Sequence, residues 1–179
     1  VVVAAEYLES QELQASLPPN LKHKKLKLVK GGDSRQQSVE KGLKNLDNKS
    51  QIVLVHDGVR PFITNEIINK NIVECQKKDA VLTAIPVTDT LKMVEENHIV
   101  ETLDRNKVWR AQTPQTFKVK ILRECFKKAK ARGTIATDEA GLVENFQKVY
   151  PIQGHQNNFK ITHQDDLLMA RALFEEMQK

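Results

Sequence analysis

Five short stretches of this 179-residue chain combine residue types that bind charged ligands: KGGDSRQQS (30–38), VLVHDGVRPF (53–62), LDRNKVWRAQTPQTF (103–117), ATDEAG (136–141) and NFKITHQDD (158–166). In the second, Asp57 and Arg60 stand three residues apart at the end of an apolar run. Opposite charges so placed suit a cation and a phosphate held side by side; they equally suit a local ion pair closing a turn before Pro61. His56 reads as a hydrogen-bonded strand-end residue. In the first stretch Gly31 and Gly32, followed by Asp33 and Ser38, precede a helix. Backbone amides there approach a ligand closely and the helix N-terminus favours an anion, although a glycine pair also makes an ordinary turn. Thr137 and Thr162 read as helix caps beside charged groups. Lys160, between Phe159 and Ile161, faces away from both, toward a cleft or water. No Cys/His metal-ligand spacing, Gly-x-Ser-x-Gly or Ser/His/Asp arrangement occurs in the sequence.

The elements that must position these residues follow from hydrophobic patterning. Continuous apolar runs at VVVA (1–4), IVLVH (52–56) and AVLTAIP (80–86) predict parallel strands covered on both faces. Helices are expected over Ser34–Leu46, capped by Asp33 with Gln36 three residues on, and over Thr64–Lys77. Others are expected over Val119–Ala131, stopped by Gly133, from Asp138 capped by Thr137, and from His163 capped by Thr162 with Asp165 at its third position. Further strands are expected near 148–153 and 158–162. Strands alternating with helices imply an open, mostly parallel α/β sheet, with ligands beyond the carboxyl ends of the strands. Residues 87–109 break the rhythm and predict a projecting hairpin around EENH, with Trp109 as its buried anchor. The lysine-rich run KHKKLKLVK (22–30) reads as an edge strand with solvated lysines rather than a nucleic-acid surface.

Composition bounds the class. The length predicts one domain, and 40% apolar content suffices for a core. The net charge of +5 fits a phosphate-rich partner without requiring one. Cys75 and Cys125 sit among helix-spaced apolar residues and predict buried reduced thiols, which suits the cytoplasm. No membrane span or signal peptide is read.

Taken in order, GGDSRQQSV, VHDGVRPF, PVTDTLK, LDRN, QTPQTF, TDEAG and NFKIT, spread over residues 31–162, resemble the 2-C-methyl-D-erythritol 4-phosphate cytidylyltransferase family of the non-mevalonate isoprenoid pathway. Ribitol-5-phosphate cytidylyltransferases share HD-x-x-RPF and QTPQ, whereas LDRN and TDEA look more like the methylerythritol enzymes. A non-catalytic basic binding module is the alternative of another class. The resemblance implies a Rossmann-like nucleotidyltransferase fold: open, mostly parallel and doubly wound. It implies a Mg²⁺-dependent, homodimeric enzyme of the cytoplasm, or of the plastid stroma in a plant, acting on CTP and methylerythritol phosphate. It implies that Gly31, Gly32, Asp33 and Ser38 read cytosine, that Asp57 lies near the CTP ribose and Mg²⁺, and that Arg60 contacts methylerythritol phosphate. Thr90 and Arg105 would act in the partner's site through the 87–109 arm. Thr137 and Lys160 would complete the phosphate pocket, with Lys160 and Arg105 positioning the attacking group. The family's glycine-rich loop, with an arginine and a lysine, precedes its first strand; the sequence here opens at VVVA without it, and the expectation is that residues precede Val1.

Overall fold

The computed structural model describes residues 1–8, 10, 13, 15 and 26–179, with Ala5 described through its backbone alone. The chain folds as two compact units, each built from two separated stretches: Val1–Val53 with Lys118–Lys148, and Leu54–Phe117 with Val149–Lys179.

In the first unit, β1 (Val2–Val3) pairs in parallel with β2 (Val29–Lys30), Val2 opposite Val29 and Val3 opposite Lys30. Helix α1 (Arg35–Lys44) follows, with Ser34 as N-cap accepting from the Gln37 N–H at 3.1 Å. Helix α3 (Val119–Arg132) buries Val119, Leu122, Cys125, Phe126 and Ala129, a stripe at helical spacing, and ends at Gly133 in the left-handed region (φ 65°). A fully buried leucine such as Leu122 contributes about 1.5–3 kcal/mol of burial free energy. Short α4 (Glu139–Val143) is capped by Asp138, which accepts from the Gly141 N–H at 2.7 Å.

The second unit contains a four-stranded sheet in the order β3-β7-β4-β8, which β3 (Ile52–Val55) enters across the boundary at Val53. Strand β4 (Ala80–Pro86) runs parallel to β8 (Tyr150–Gln153) and antiparallel to β7 (Trp109–Lys118). Helix α2 (Asn65–Lys78), capped by Thr64, buries Ile67, Asn71 and Cys75 on one face. Asn71 is wholly buried yet satisfied: it donates to Ile67 O at 2.8 Å and Thr83 Oγ1 at 2.9 Å, and accepts from Thr116 Oγ1 at 3.1 Å. Strands β5 (Lys92–Glu95) and β6 (His98–Thr102) form the expected hairpin, and every residue in both is exposed. Glu96 and Asn97 both have positive φ, as the tight two-residue turn between twisted strands demands. Helix α5 (Gln164–Met177) closes the unit, Asp166 accepting from the backbone of Thr162 and His163 at 2.8 Å each.

Both cysteines are buried and free, as expected. Other expectations are corrected. The caps are Ser34, Asp138 and His163, each one residue beyond the predicted Asp33, Thr137 and Thr162, and it is Gln37 and Asp166 that reach back. Residues 158–162 form no strand: the Asn158 N–H closes a local turn onto His155 O at 3.0 Å, and the Ile161 N–H goes to Val59 O at 2.9 Å, in a turn that offers no ladder. Trp109 is 41% exposed, because the first three residues of β7 face solvent. Of the lysine-rich run, residues 22–25 lie outside the described residues, and only Val29–Lys30 is strand.

Candidate active site

The glycine turn is shaped by close backbone packing. The Gly31 N–H donates to Val3 O at 2.7 Å, and the Gly32 N–H donates to Ser38 Oγ at 3.0 Å. A Cβ on Gly32 would lie 2.4 Å from the Gln37 Cβ, so only glycine lets the chain turn this tightly onto α1. Lys41 Nζ donates to Gly31 O at 2.8 Å and Gln37 Oε1 accepts from the Asp33 N–H at 2.8 Å, while the Asp33 side chain is exposed. Ser38 therefore holds the turn from inside.

In the same unit, Arg35 at the start of α1 reaches Glu139 Oε1 at 2.7 Å. Gln36 grips the stretch just before, donating to Thr134 O at 3.3 Å and accepting from the Ala136 N–H at 3.1 Å. Glu139 is only 2% exposed and its Oε2 has no hydrogen-bond partner among the described residues. Burial pushes its pKa above the ordinary carboxylate range, against the lowering effect of Arg35. Thr137, two residues earlier, is exposed. The glycine turn and the TDEAG segment are thus tied together through α1.

The second unit carries the HDGVR tip. The Arg60 N–H donates to Asp57 O at 3.0 Å, closing a turn, and Arg60 Nε lies 3.5 Å from Asp57 Oδ2, at the weak limit of a hydrogen bond. The local ion pair and the ligand-binding reading are therefore compatible: both side chains are largely but not wholly enclosed, 16% exposed for Asp57 and 11% for Arg60. Arg60 Nη1 also donates to Asn158 O at 2.9 Å. With the Ile161–Val59 bond, this fixes residues 158–161 alongside the tip, so exposed Lys160 is carried on a segment clamped to it at both ends. Phe62 and Phe159 pack beneath, ring centroids 5.7 Å apart.

Thr90 and Arg105 lie at the foot of the hairpin, both exposed. Arg105 Nη1 donates to Thr88 O at 2.9 Å, and Asp104 caps the single helical turn Arg105–Lys107. Within the second unit the structure thus brings Asp57, Arg60 and the Lys160 segment together. Within the first it joins Gly31, Gly32, Asp33 and Ser38 through α1 to the segment bearing Thr137.

Sequence reasoning missed the residues that hold these groups. Asn158, wholly buried, donates from Nδ2 to Thr113 O at 2.7 Å, and Gln112 Nε2 donates to His155 O at 2.9 Å. Asn158, Gln112, Thr113 and Glu139 all lie in the stretches singled out above. No local signal marks them, because each sits among polar or loop-like neighbours and is partnered far along the chain.

Comparison with known proteins decides the family. The model of the IspD family, 2-C-methyl-D-erythritol 4-phosphate cytidylyltransferase, matches residues 1–176. The chain belongs to that family. A cytidylyltransferase of this name from Clostridioides difficile is 38% identical over 174 residues, spanning 97% of this chain and 73% of that protein. One from Bacillus pumilus is 39% identical over 98% of this chain and 77% of its own length. Among solved structures, 4-diphosphocytidyl-2C-methyl-D-erythritol synthase from Anaerococcus prevotii superposes with a TM-score of 0.85 at 33% identity, covering 97% of this chain and 80% of that one. The cytidylyltransferase from Thermus thermophilus gives 0.78 at 34%, covering 89% and 80%. The chain thus spans about three quarters of its curated cytidylyltransferase relatives. The α/β, Rossmann-like architecture read from the sequence stands, with β7 as the antiparallel member of its sheet.

Proposed function

We propose that this protein transfers a cytidylyl group from CTP to 2-C-methyl-D-erythritol 4-phosphate, giving 4-diphosphocytidyl-2-C-methyl-D-erythritol and pyrophosphate, within isoprenoid precursor synthesis. The observation that carries the reading, in a chain of this family, is the HDGVR tip. There Arg60 and Lys160 are held on neighbouring, mutually bonded segments next to Asp57.

The methylerythritol phosphate oxygen attacks the α-phosphorus of CTP in line, and pyrophosphate leaves. Such a step needs two polyanions aligned and their charge neutralised more than it needs covalent help. Arg60 binds the acceptor phosphate, and Lys160 orients the attacking oxygen. Thr137 adds a hydroxyl to the phosphate pocket. Gly31, Gly32, Asp33 and Ser38 read cytosine: Gly31, Gly32 and Ser38 shape the turn, and the exposed Asp33 carboxylate accepts from an exocyclic amine where uracil offers a carbonyl.

The divalent cation is Mg²⁺, with Asp57 as its protein ligand. Among the described residues no group of three or more His, Cys, Asp or Glu side chains is placed to hold a metal. One carboxylate fits Mg²⁺, which takes one or two carboxylates and completes its shell with substrate phosphates and water. When bound it neutralises charge on the triphosphate.

Residues 1–179 act as one nucleotidyltransferase domain, with residues 87–109 as its arm. The arm exposes Val94 and Ile99 at 59% and 62%, and a two-stranded ribbon of this kind is marginal alone. A second copy of the chain covers it, making a homodimer in which Thr90 and Arg105 act in the partner's site. No helix among the described residues is long and apolar enough to cross a membrane, and the buried free thiols suit the cytoplasm or a plastid stroma.

Pyrophosphate release from CTP and methylerythritol phosphate, with Mg²⁺ present, tests the reading. Equal or better turnover with ribitol 5-phosphate overturns the substrate assignment, and no CTP binding at all overturns the enzyme.

A further inference from the structure

One side chain next to the tip has no role in the reaction as assigned, yet it links both ends of the turn that carries Asp57 and Arg60, reaching Arg60 directly and Asp57 through Thr113. His56 Nε2 lies 3.0 Å from Arg60 O, and His56 Nδ1 lies 2.9 Å from Thr113 Oγ1. The same Thr113 oxygen accepts from the Asp57 N–H at 3.1 Å.

Donor and acceptor chemistry fixes the direction of this chain. A carbonyl oxygen accepts only, so Nε2 facing Arg60 O carries the proton. In neutral imidazole the other nitrogen is then an acceptor, and the Thr113 hydroxyl donates to Nδ1. That leaves the lone pairs of Thr113 Oγ1 for the Asp57 N–H. The bonds run in one sense, Asp57 N–H to Thr113 to His56 to Arg60 C=O, and with the Arg60 N–H to Asp57 O bond they close a ring around the turn. The ring is anchored to β7 a second time, because Asn158 Nδ2 donates to Thr113 O while Asn158 O accepts from Arg60.

We infer that His56, in its Nε2–H form and oriented by Thr113, is a positioning residue that holds the backbone of Asp57 and Arg60 for phosphate binding. It acts through the turn and does not contact substrate. The role rests on the cytidylyl-transfer reading above, and a misplacement of the arginine is where its loss registers.

Nitrogen-15 NMR of the full chain tests the hydrogen-bond ring without reference to activity: His56 should show the Nε2–H tautomer, and an Nδ1–H tautomer overturns the inference. Kinetics test the role. His56→Ala should raise KM for methylerythritol phosphate about tenfold, the scale of one lost hydrogen bond, with a smaller change in kcat. His56→Gln, whose terminal amide can restore the donor to Arg60 O, should recover most of that. His56→Asn, which keeps an acceptor toward Thr113 but no donor long enough for Arg60 O, should melt like the wild type and still show the raised KM. Thr113→Val should resemble His56→Ala, and Thr113→Ser the wild type. If the wild type is active and KM is unchanged in His56→Asn, or if His56→Gln is no better than alanine, the positioning role fails. If the wild type itself releases no pyrophosphate, the functional reading fails first and takes the role with it, while the tautomer reports separately on the ring.

Discussion

Arg35 Nη1 lies 2.7 Å from Glu139 Oε1, joining residues 104 positions apart across the first unit. Burial holds the Glu139 carboxyl above its ordinary value of 4.5, so the folded chain takes up this proton at a higher pH than the unfolded chain. The stability it contributes is complete below 4.5 and is lost as pH rises through the higher folded value. Arg35→Ala removes the partner that offsets this. The expected loss is about 2 kcal/mol near neutral pH, below the range for fully buried pairs because Arg35 is about one-third exposed. Near pH 4, where Glu139 is protonated folded or unfolded, the loss should shrink. Urea denaturation at both pH values decides it, and an equal loss at both contradicts the linkage.

Asn71 should be among the most costly single positions in the second unit. Asn71→Leu keeps the branched outline in a somewhat larger side chain but strips partners from Thr83 Oγ1 and Thr116 Oγ1, both buried between α2 and the sheet. A loss of about 3 kcal/mol is expected in denaturant titration, since each stranded buried hydroxyl costs on the order of 1–3 kcal/mol. A change below about 1 kcal/mol would show that Thr83, which also donates to Pro114 O, needs no help from α2.

Two glycines should respond oppositely to alanine. At Gly154 a Cβ would sit 2.3 Å from Gln112 Oε1 and 2.8 Å from Thr83 Cγ2. Gly154→Ala should cost about 2 kcal/mol by overpacking and displace Gln112 from Asn158. At Gly58 no atom of the described residues lies within 4 Å of the added atom, and Gly58→Ala should stay within about 0.5 kcal/mol of the wild type in thermal melts.

The arm offers a test of shared sites. Ile99→Asp places a charge on the arm's most exposed large apolar residue and should shift sedimentation toward the monomer, with activity falling in parallel. Separately, mixing Arg105→Ala subunits with Asp57→Ala subunits should restore some turnover, because one of the two sites in each mixed dimer then keeps both residues. No recovery after demonstrated subunit exchange counts against residues acting across the dimer.

Much of this was legible in the chain. Strand β4 was marked out to the residue by its unbroken apolar run, and α2 and α3 by apolar residues at helical spacing. The caps fell one residue off because each site offers two adjacent cap-competent side chains, as in Asp33–Ser34 and Thr137–Asp138, and only the geometry of the first turn selects between them. Strand β7 was hidden: QTPQT looks like a loop, yet it is buried, its polar groups taken up by Asn71, Thr83, Asn158 and His155. Such pairing over long sequence separations leaves no local periodicity to read. The chemistry-bearing residues announced themselves by type, whereas their supports, Thr113, Asn158 and Glu139, have meaning only through distant partners.

The interleaving of the two units has a consequence during synthesis. Residues 1–53 emerge from the ribosome long before Lys118–Lys148 exist to complete their core, and everything in Leu54–Phe117 must be extruded in between. Neither unit is one continuous peptide, so a protease nick or a nonsense codon anywhere in the middle of the chain deprives both of a half. Until α3 is made, the nascent polypeptide carries α1 with Leu43 lacking its α3 neighbour Arg123, the interval in which a chaperone would find most to hold.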